Sequence, residues 1–146
     1  MTEEFFSHSE HETRQIAMQC ASSLHPGDII SLSGQLGAGK TFFMRGIAEF
    51  FHCDEQLSSP TFSLFNIYQG SLEGEEVMLH HFDLYRIESL RELEAIGFDE
   101  YLSSGDFSVV EWGERFPEYA SLYTVTVSLE YTGDESRRIV IKRSGQ

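Results

Sequence analysis

Apolar residues recur along this chain in two rhythms, one near 3.6 residues and one near two, and each predicts elements. Ile16, Ala17, Cys20, Ala21 and Leu24 return at helical spacing behind the capping pattern Ser9-Glu10-His11-Glu12. They predict a first helix, ended by Pro26-Gly27-Asp28. Ile29 to Ser33 reads as a short strand running straight into a glycine-rich loop. Beyond Thr41, the residues Phe43, Ile47, Phe50 and Phe51 mark the buried stripe of a second helix, from Phe42 to about Phe51. Phe62 to Tyr68 and Val77 to Phe82 predict two strands, separated by a turn around Gly70 to Gly74. Ser89-Leu90-Arg91-Glu92 is a second capping pattern, with Gly97 placed to end a short helix. Phe107 to Val110 is an apolar strand that stops at Glu111-Trp112. Tyr123 to Tyr131 and Arg138 to Lys142 alternate around Thr132-Gly133-Asp134, as a β-hairpin does. The order predicts an α/β fold: a mixed sheet flanked by helices, with a C-terminal antiparallel hairpin. No linker or repeat divides residues 1–146, so one domain is expected.

Composition narrows the setting. The 146 residues are 40% apolar, with 12 Phe and 6 Tyr, enough for a continuous core. Cys20 and Cys53 make no C-x-x-C pair and no disulfide framework, which suits a reducing compartment. The start, Met1-Thr2-Glu3-Glu4, lacks the basic and apolar regions of a signal peptide, and no run is long enough to cross a bilayer. A cytoplasmic protein without membrane contact is expected. Charge sharpens this picture: 24 acidic residues oppose 10 basic ones, for a net −14. Phosphate backbones are bound by Lys and Arg displacing counterions, so this surface repels nucleic acid. Contact with RNA is expected only indirectly, through a partner protein.

Gly34-Gln35-Leu36-Gly37-Ala38-Gly39-Lys40-Thr41 satisfies G-x-x-x-x-G-K-[ST]. Gly37 and Gly39 let the backbone curl with its N–H groups inward, and the following helix adds its positive end. Lys40 is placed to reach the β- and γ-phosphates, and the Thr41 hydroxyl to take one position on Mg²⁺. The pattern arises by accident in roughly one chain in a few hundred of this length. Here it also follows a predicted strand and opens a predicted helix.

A phosphate loop needs a carboxylate for its magnesium, usually at the end of a neighbouring apolar strand. Asp83 and Glu111 both qualify by position, though either is equally readable as a surface acid. His81 and Asp83 share a strand face, whereas His80 points the other way. That argues against His80 and His81 ligating one ion, and no zinc site is expected. Thr61, in Ser58-Ser59-Pro60-Thr61-Phe62, lies where many P-loop proteins keep a phosphate-sensing switch, but its sequence alone is also that of a plain turn.

These pieces together resemble the TsaE (YjeE) family of small bacterial ATPases in tRNA threonylcarbamoyladenosine modification. The resemblance is carried by the loop itself, Ser59-Pro60-Thr61-Phe62, His81-Phe82-Asp83-Leu84-Tyr85-Arg86, Glu92-Leu93-Glu94-Ala95-Ile96-Gly97 and Val110-Glu111-Trp112. It implies a P-loop NTPase-like mixed-sheet fold, ATP and Mg²⁺ as cofactors, and association with TsaD and TsaB. Thr41 and Glu111 would be magnesium ligands with Asp83 beside them, and Lys40, Asp83, Glu111 and Thr61 the catalytic set. Nucleotide contacts would come from Glu10, Gly37, Ala38, Gly39, Lys40, Thr41 and Phe42, with Arg137 or its neighbour Arg138 approaching from the hairpin. Trp112 would stand beside the nucleotide. Gln35 and Phe42 depart from the family's usual Asp/Asn and Thr without removing a phosphate or magnesium ligand. The implied activity is an ATPase, weak alone and raised by partners, that does not itself transfer the threonylcarbamoyl group. Two other classes compete. A small-molecule kinase shares the loop but usually carries several lid arginines, and only Arg86 and Arg91 fall in a plausible region. A GTP-dependent switch would need a guanine-reading [NT]-K-x-D motif, which the sequence lacks.

Overall fold

A computed structural model describes residues 1–35, 37–53, 65–133 and 135–144. Its strands are β1 (Thr2–Ser7), β2 (Ile29–Gly34), β3 (Phe65–Leu72), β4 (Glu75–Asp83), β5 (Phe107–Glu111), β6 (Val125–Tyr131) and β7 (Arg137–Arg143). Its α-helices are α1 (Glu10–Ala21), α2 (Lys40–Phe50), α3 (Leu90–Ala95) and α4 (Phe98–Leu102), with two 3-10 segments between Gly113 and Leu122. The segment around Thr61 lies outside the described residues.

One seven-stranded sheet runs in the order β1-β7-β6-β2-β5-β4-β3. β4, β5, β2 and β6 are parallel neighbours, while β3, β7 and β1 join antiparallel at the edges. The strand order reverses at β2, which has β5 on one side and β6 on the other. In open α/β sheets, ligands bind beyond the carboxyl ends of the strands at such a point. The glycine loop leaves β2 there.

Alternation divides the core between the two faces of the sheet. Ile30, Leu32, Leu79, Phe107 and Val109 point toward α1 and α2, where Phe43, Ile47 and Phe51 meet them with no exposed surface. Ile29, Phe82 and Val110 point the other way, under Leu93, Phe98 and Leu102 of α3 and α4. Central strands covered on both faces read as continuous apolar runs, and all five residues of β5 are buried.

Helices α1 and α2 approach closely because Gly46 carries no side chain. A Cβ built there would stand 2.6 Å from the Cβ of Ala17 and closer still to the carbonyl oxygen of Arg14. Gly46→Val is expected to destabilise the protein by about 1–3 kcal/mol through overpacking, read as a lower urea midpoint with unchanged slope.

Several boundaries differ from the sequence expectation. Helix α1 ends at Ala21 rather than at Pro26, because the Ser22 and Ser23 hydroxyls bond back to the carbonyls of Gln19 and Cys20. Helix α2 begins at Lys40, two residues earlier than expected. Gly70 lies within β3, opposite Val77, and the turn is confined to Glu73-Gly74. The carbonyl of Phe51 packs against Gly70 and accepts the Ser71 N–H, so a glycine suits that strand position. Strand β1 and helix α4 add elements that the periodicity did not announce. Gly97, at φ +76°, both ends α3 and opens α4.

Candidate functional site

The site grows from the junction of β2 and α2. Gly39 occupies the N-cap of α2 at φ +104°, a left-handed value that glycine adopts without strain, and no side chain caps the helix. The first-turn N–H groups therefore face the mouth of the loop without an intrahelical partner. Inside the loop, the Ala38 N–H donates to the Gln35 carbonyl at 2.9 Å.

Lys40 is only 6% exposed, and its Nζ has no hydrogen-bond partner among the described residues. The ammonium sits 3.8 Å from the centroid of the Trp112 ring. Trp112 holds φ +62°, rare for a side chain of its size, directly after β5, and Tyr85 packs on it with ring centroids 4.9 Å apart. Burial pushes the Lys40 pKa below its ordinary value, while Glu111, Glu114 and Asp83 pull it back up. An amine buried without an acceptor, beside three carboxylates, fits an anionic ligand accompanied by a cation.

The two strand-end acids meet there. Asp83 and Glu111 are register partners in the parallel pair β4/β5. Glu111 is buried, and its Oε2 lies 2.6 Å from His81 Nε2. The shared face of His81 and Asp83 thus brings His81 to Glu111. His80 points to the opposite face, where its Nε2 lies 3.5 Å from Asp106 Oδ2. Asp83 Oδ1 accepts the Tyr85 N–H at 3.0 Å. Burial raises the Asp83 pKa above its ordinary value; the Tyr85 N–H lowers it and the nearby Glu111 adds to the rise.

A carboxyl with a raised folded pKa takes up a proton on folding. Stability therefore falls as pH rises from the ordinary Asp value of 3.8 through the raised value, and the cost is fully present above it. Asp83→Asn is expected to raise the melting temperature of the nucleotide- and metal-free protein by about 2–4 °C at pH 7. The gain should shrink as pH approaches 3.8. Calorimetry across that range checks it.

A cavity of about 190 Å³ adjoins the loop and is lined by Ser9, Glu10, Thr13, Gly39, Phe42, Glu135 and Arg137. Glu10 opens α1, whose entry is fixed by Ser7: its hydroxyl pairs with that of Thr13 at 2.7 Å and reaches the Ser9 carbonyl at 2.8 Å. Between the two candidate arginines, Arg137 faces the loop, whereas Arg138 pairs with Glu4 across β1. Thr41 is exposed at the start of α2. The structure thus gathers Lys40, Asp83 and Glu111 at one mouth, and Glu10, Gly39, Phe42 and Arg137 at the adjoining cavity. Sequence reasoning missed Tyr131 and Glu114. Tyr131 was accessible through parity, since it shares a strand face with Val127 and Leu129.

A glycine loop at the reversal point of a mixed sheet, with two acidic strand ends beside it, defines a P-loop NTPase-like fold. The family described as Threonylcarbamoyl adenosine biosynthesis protein TsaE matches residues 7–140. The chain belongs to the TsaE family. A tRNA threonylcarbamoyladenosine biosynthesis protein TsaE from Rickettsia conorii is 40% identical over 131 residues, covering 88% of this chain and 71% of that protein. Its counterpart from Treponema pallidum is 36% identical over 135 residues, covering 92% of this chain and 96% of that protein. The crystal structure of YdiB from Bacillus subtilis superimposes with a TM-score of 0.78 at 28% identity, covering 99% of this chain and 87% of that one. Membership assigns the chain to tRNA threonylcarbamoyladenosine biosynthesis. No helix among the described residues is long and apolar enough to cross a membrane.

Proposed function

We propose that this protein binds and hydrolyses Mg-ATP at the glycine loop, and that the cycle drives the TsaD–TsaB complex of the modification pathway. The observation that carries the reading is the buried Lys40 ammonium, which has no hydrogen-bond acceptor among the described residues and lies near two strand-end carboxylates. Lys40 and the first-turn N–H groups of α2 would hold the phosphates. Thr41 and Glu111 would hold magnesium, with Asp83 beside them. Bound Mg²⁺ would neutralise charge on the transferring phosphoryl group. His81 would orient the Glu111 carboxylate through their buried hydrogen bond. The cavity between Glu10, Phe42 and Arg137 would receive the nucleoside. Thr61 is proposed as the segment that senses the γ-phosphate.

An acidic surface supports indirect contact with tRNA, through partners rather than by the chain itself. Turnover alone is expected to be slow, because Asp83 and Glu111 would be engaged with the metal and leave no separate base for water. Calorimetric titration with Mg-ATP and Mg-GTP, followed by turnover with and without TsaD–TsaB, tests the proposal. Tight ATP binding with partner-stimulated hydrolysis is the expected result. Rapid hydrolysis by the isolated chain, or ATP-dependent phosphorylation of a small metabolite, would overturn it in favour of an independent enzyme.

A further inference from the structure

The C-terminal hairpin reaches across to the glycine loop and grips its carbonyl groups. Tyr131, at the end of β6, and Arg137, at the start of β7, stand directly opposite in the antiparallel register. The Tyr131 hydroxyl donates to the Gly37 carbonyl. Arg137 Nε donates to the Ala38 carbonyl at 2.9 Å, and its Nη2 lies 3.4 Å from the Gly37 carbonyl. The guanidinium lies 3.9 Å from the Tyr131 ring centroid, so each side chain fixes the other.

These bonds have a consequence on the far side of each peptide. The peptide unit is planar and trans, so its C=O and N–H point in opposite directions. Holding the Ala38 carbonyl toward the hairpin aims the Gly39 N–H away from it, into the loop. The Gly37–Ala38 peptide is held at both ends, its carbonyl by Tyr131 and Arg137 and its N–H by the Gln35 carbonyl. Gly37 and Gly39, at φ +83° and +104°, have the backbone freedom of glycine and no side chain of their own to hold the loop. A Cβ at Gly37 would stand 2.9 Å from the Tyr131 hydroxyl, so a larger residue there would push that side chain off the loop.

We propose that Tyr131 and Arg137 are positioning residues, a brace that presets the glycine loop in its phosphate-binding shape before any ligand arrives. This inference rests on the nucleotide-binding reading above and adds to it. Arg137 also lines the adjoining cavity, so a nucleoside contact and a loop brace make different predictions for it.

The test uses the full chain and two magnesium-bound ligands: ATP, and tripolyphosphate, which has no nucleoside. Tyr131→Phe is expected to weaken both ligands by the same factor, about 3–10-fold, and Arg137→Gln by about 10-fold. Arg137→Lys should not rescue, since lysine lacks the planar fork that bonds both carbonyls from separate nitrogens while lying on the Tyr131 ring. The double variant should lose less than the product of the single losses, because the two side chains support each other. Amide hydrogen exchange on the ligand-free protein gives a second reading. The Ala38 amide, bonded to the Gln35 carbonyl, should exchange about 10-fold faster in either single variant, while amides of β2 and β5 stay unchanged. Unchanged exchange at Ala38 in both variants overturns the brace, as does a loss confined to ATP. Wild-type protein that binds neither ligand would sink the nucleotide reading instead, and the exchange measurement would still decide the brace.

Discussion

Lys40→Ala is expected to weaken Mg-ATP binding by about 10–100-fold and to cut turnover by about 10²–10³-fold, with the melting temperature within a few degrees of wild type. The two halves of that result have one physical origin. The wild-type ammonium is buried, has no hydrogen-bond acceptor among the described residues, and rests on the face of Trp112. Burial lowers its folded pKa, so the cost of keeping it charged is fully present below that value and fades as pH rises toward 10.5. At neutral pH alanine removes this cost together with a cation–π contact worth about 0.5–2 kcal/mol, and the two nearly offset. A charge held at an energetic disadvantage until an anion arrives is the expected design of a phosphate site. Calorimetric titration and differential scanning of the same preparation check both parts. A variant that bound ATP as well as wild type and supported the TsaD–TsaB complex would end the nucleotide-coupled model of function. If binding were lost because the fold collapsed, the melting temperature would reveal it.

Much of this site is legible in the sequence, because its parts are local. Eight consecutive residues carry the loop, and β2 and α2 announce themselves by periodicity on either side. Asp83 and Glu111 were marked by the apolar runs that precede them, and parallel pairing of β4 with β5 turns two strand ends into neighbours. The choice between Arg137 and Arg138 required only parity. Ile139 and Ile141 face the α1/α2 core, so Arg137 shares their face and Arg138 does not. What the sequence hides depends on tertiary contact. Strand β1 is an edge strand whose Glu3-Glu4 and Phe5-Phe6 pairs break alternation, and only its pairing with β7 makes it a strand. The Lys40 ammonium rests on Trp112, which is 72 residues away in the chain and placed by an unusual backbone angle. The His81–Glu111 bond likewise joins residues 30 apart.

That bond sets the second large effect. Glu111→Gln keeps the size of the side chain and its ability to bond His81, but removes the negative charge proposed to hold magnesium. Turnover should fall by about 10²–10³-fold while ATP affinity measured without magnesium is retained. Raising the Mg²⁺ concentration should recover part of the loss, since Thr41 and Asp83 remain. Glu111→Ala is expected to behave differently, because it strands His81 in a buried position with neither ring nitrogen bonded to a described residue. An unsatisfied buried group costs about 1–3 kcal/mol, so the alanine variant should also melt several degrees lower, whereas the glutamine variant should not. Comparing the two separates the carboxylate's charge from its place in the core. If Glu111→Gln hydrolysed ATP at the wild-type rate with unchanged magnesium dependence, Asp83 would become the principal metal ligand, and Glu111 would be left as the buried partner of His81.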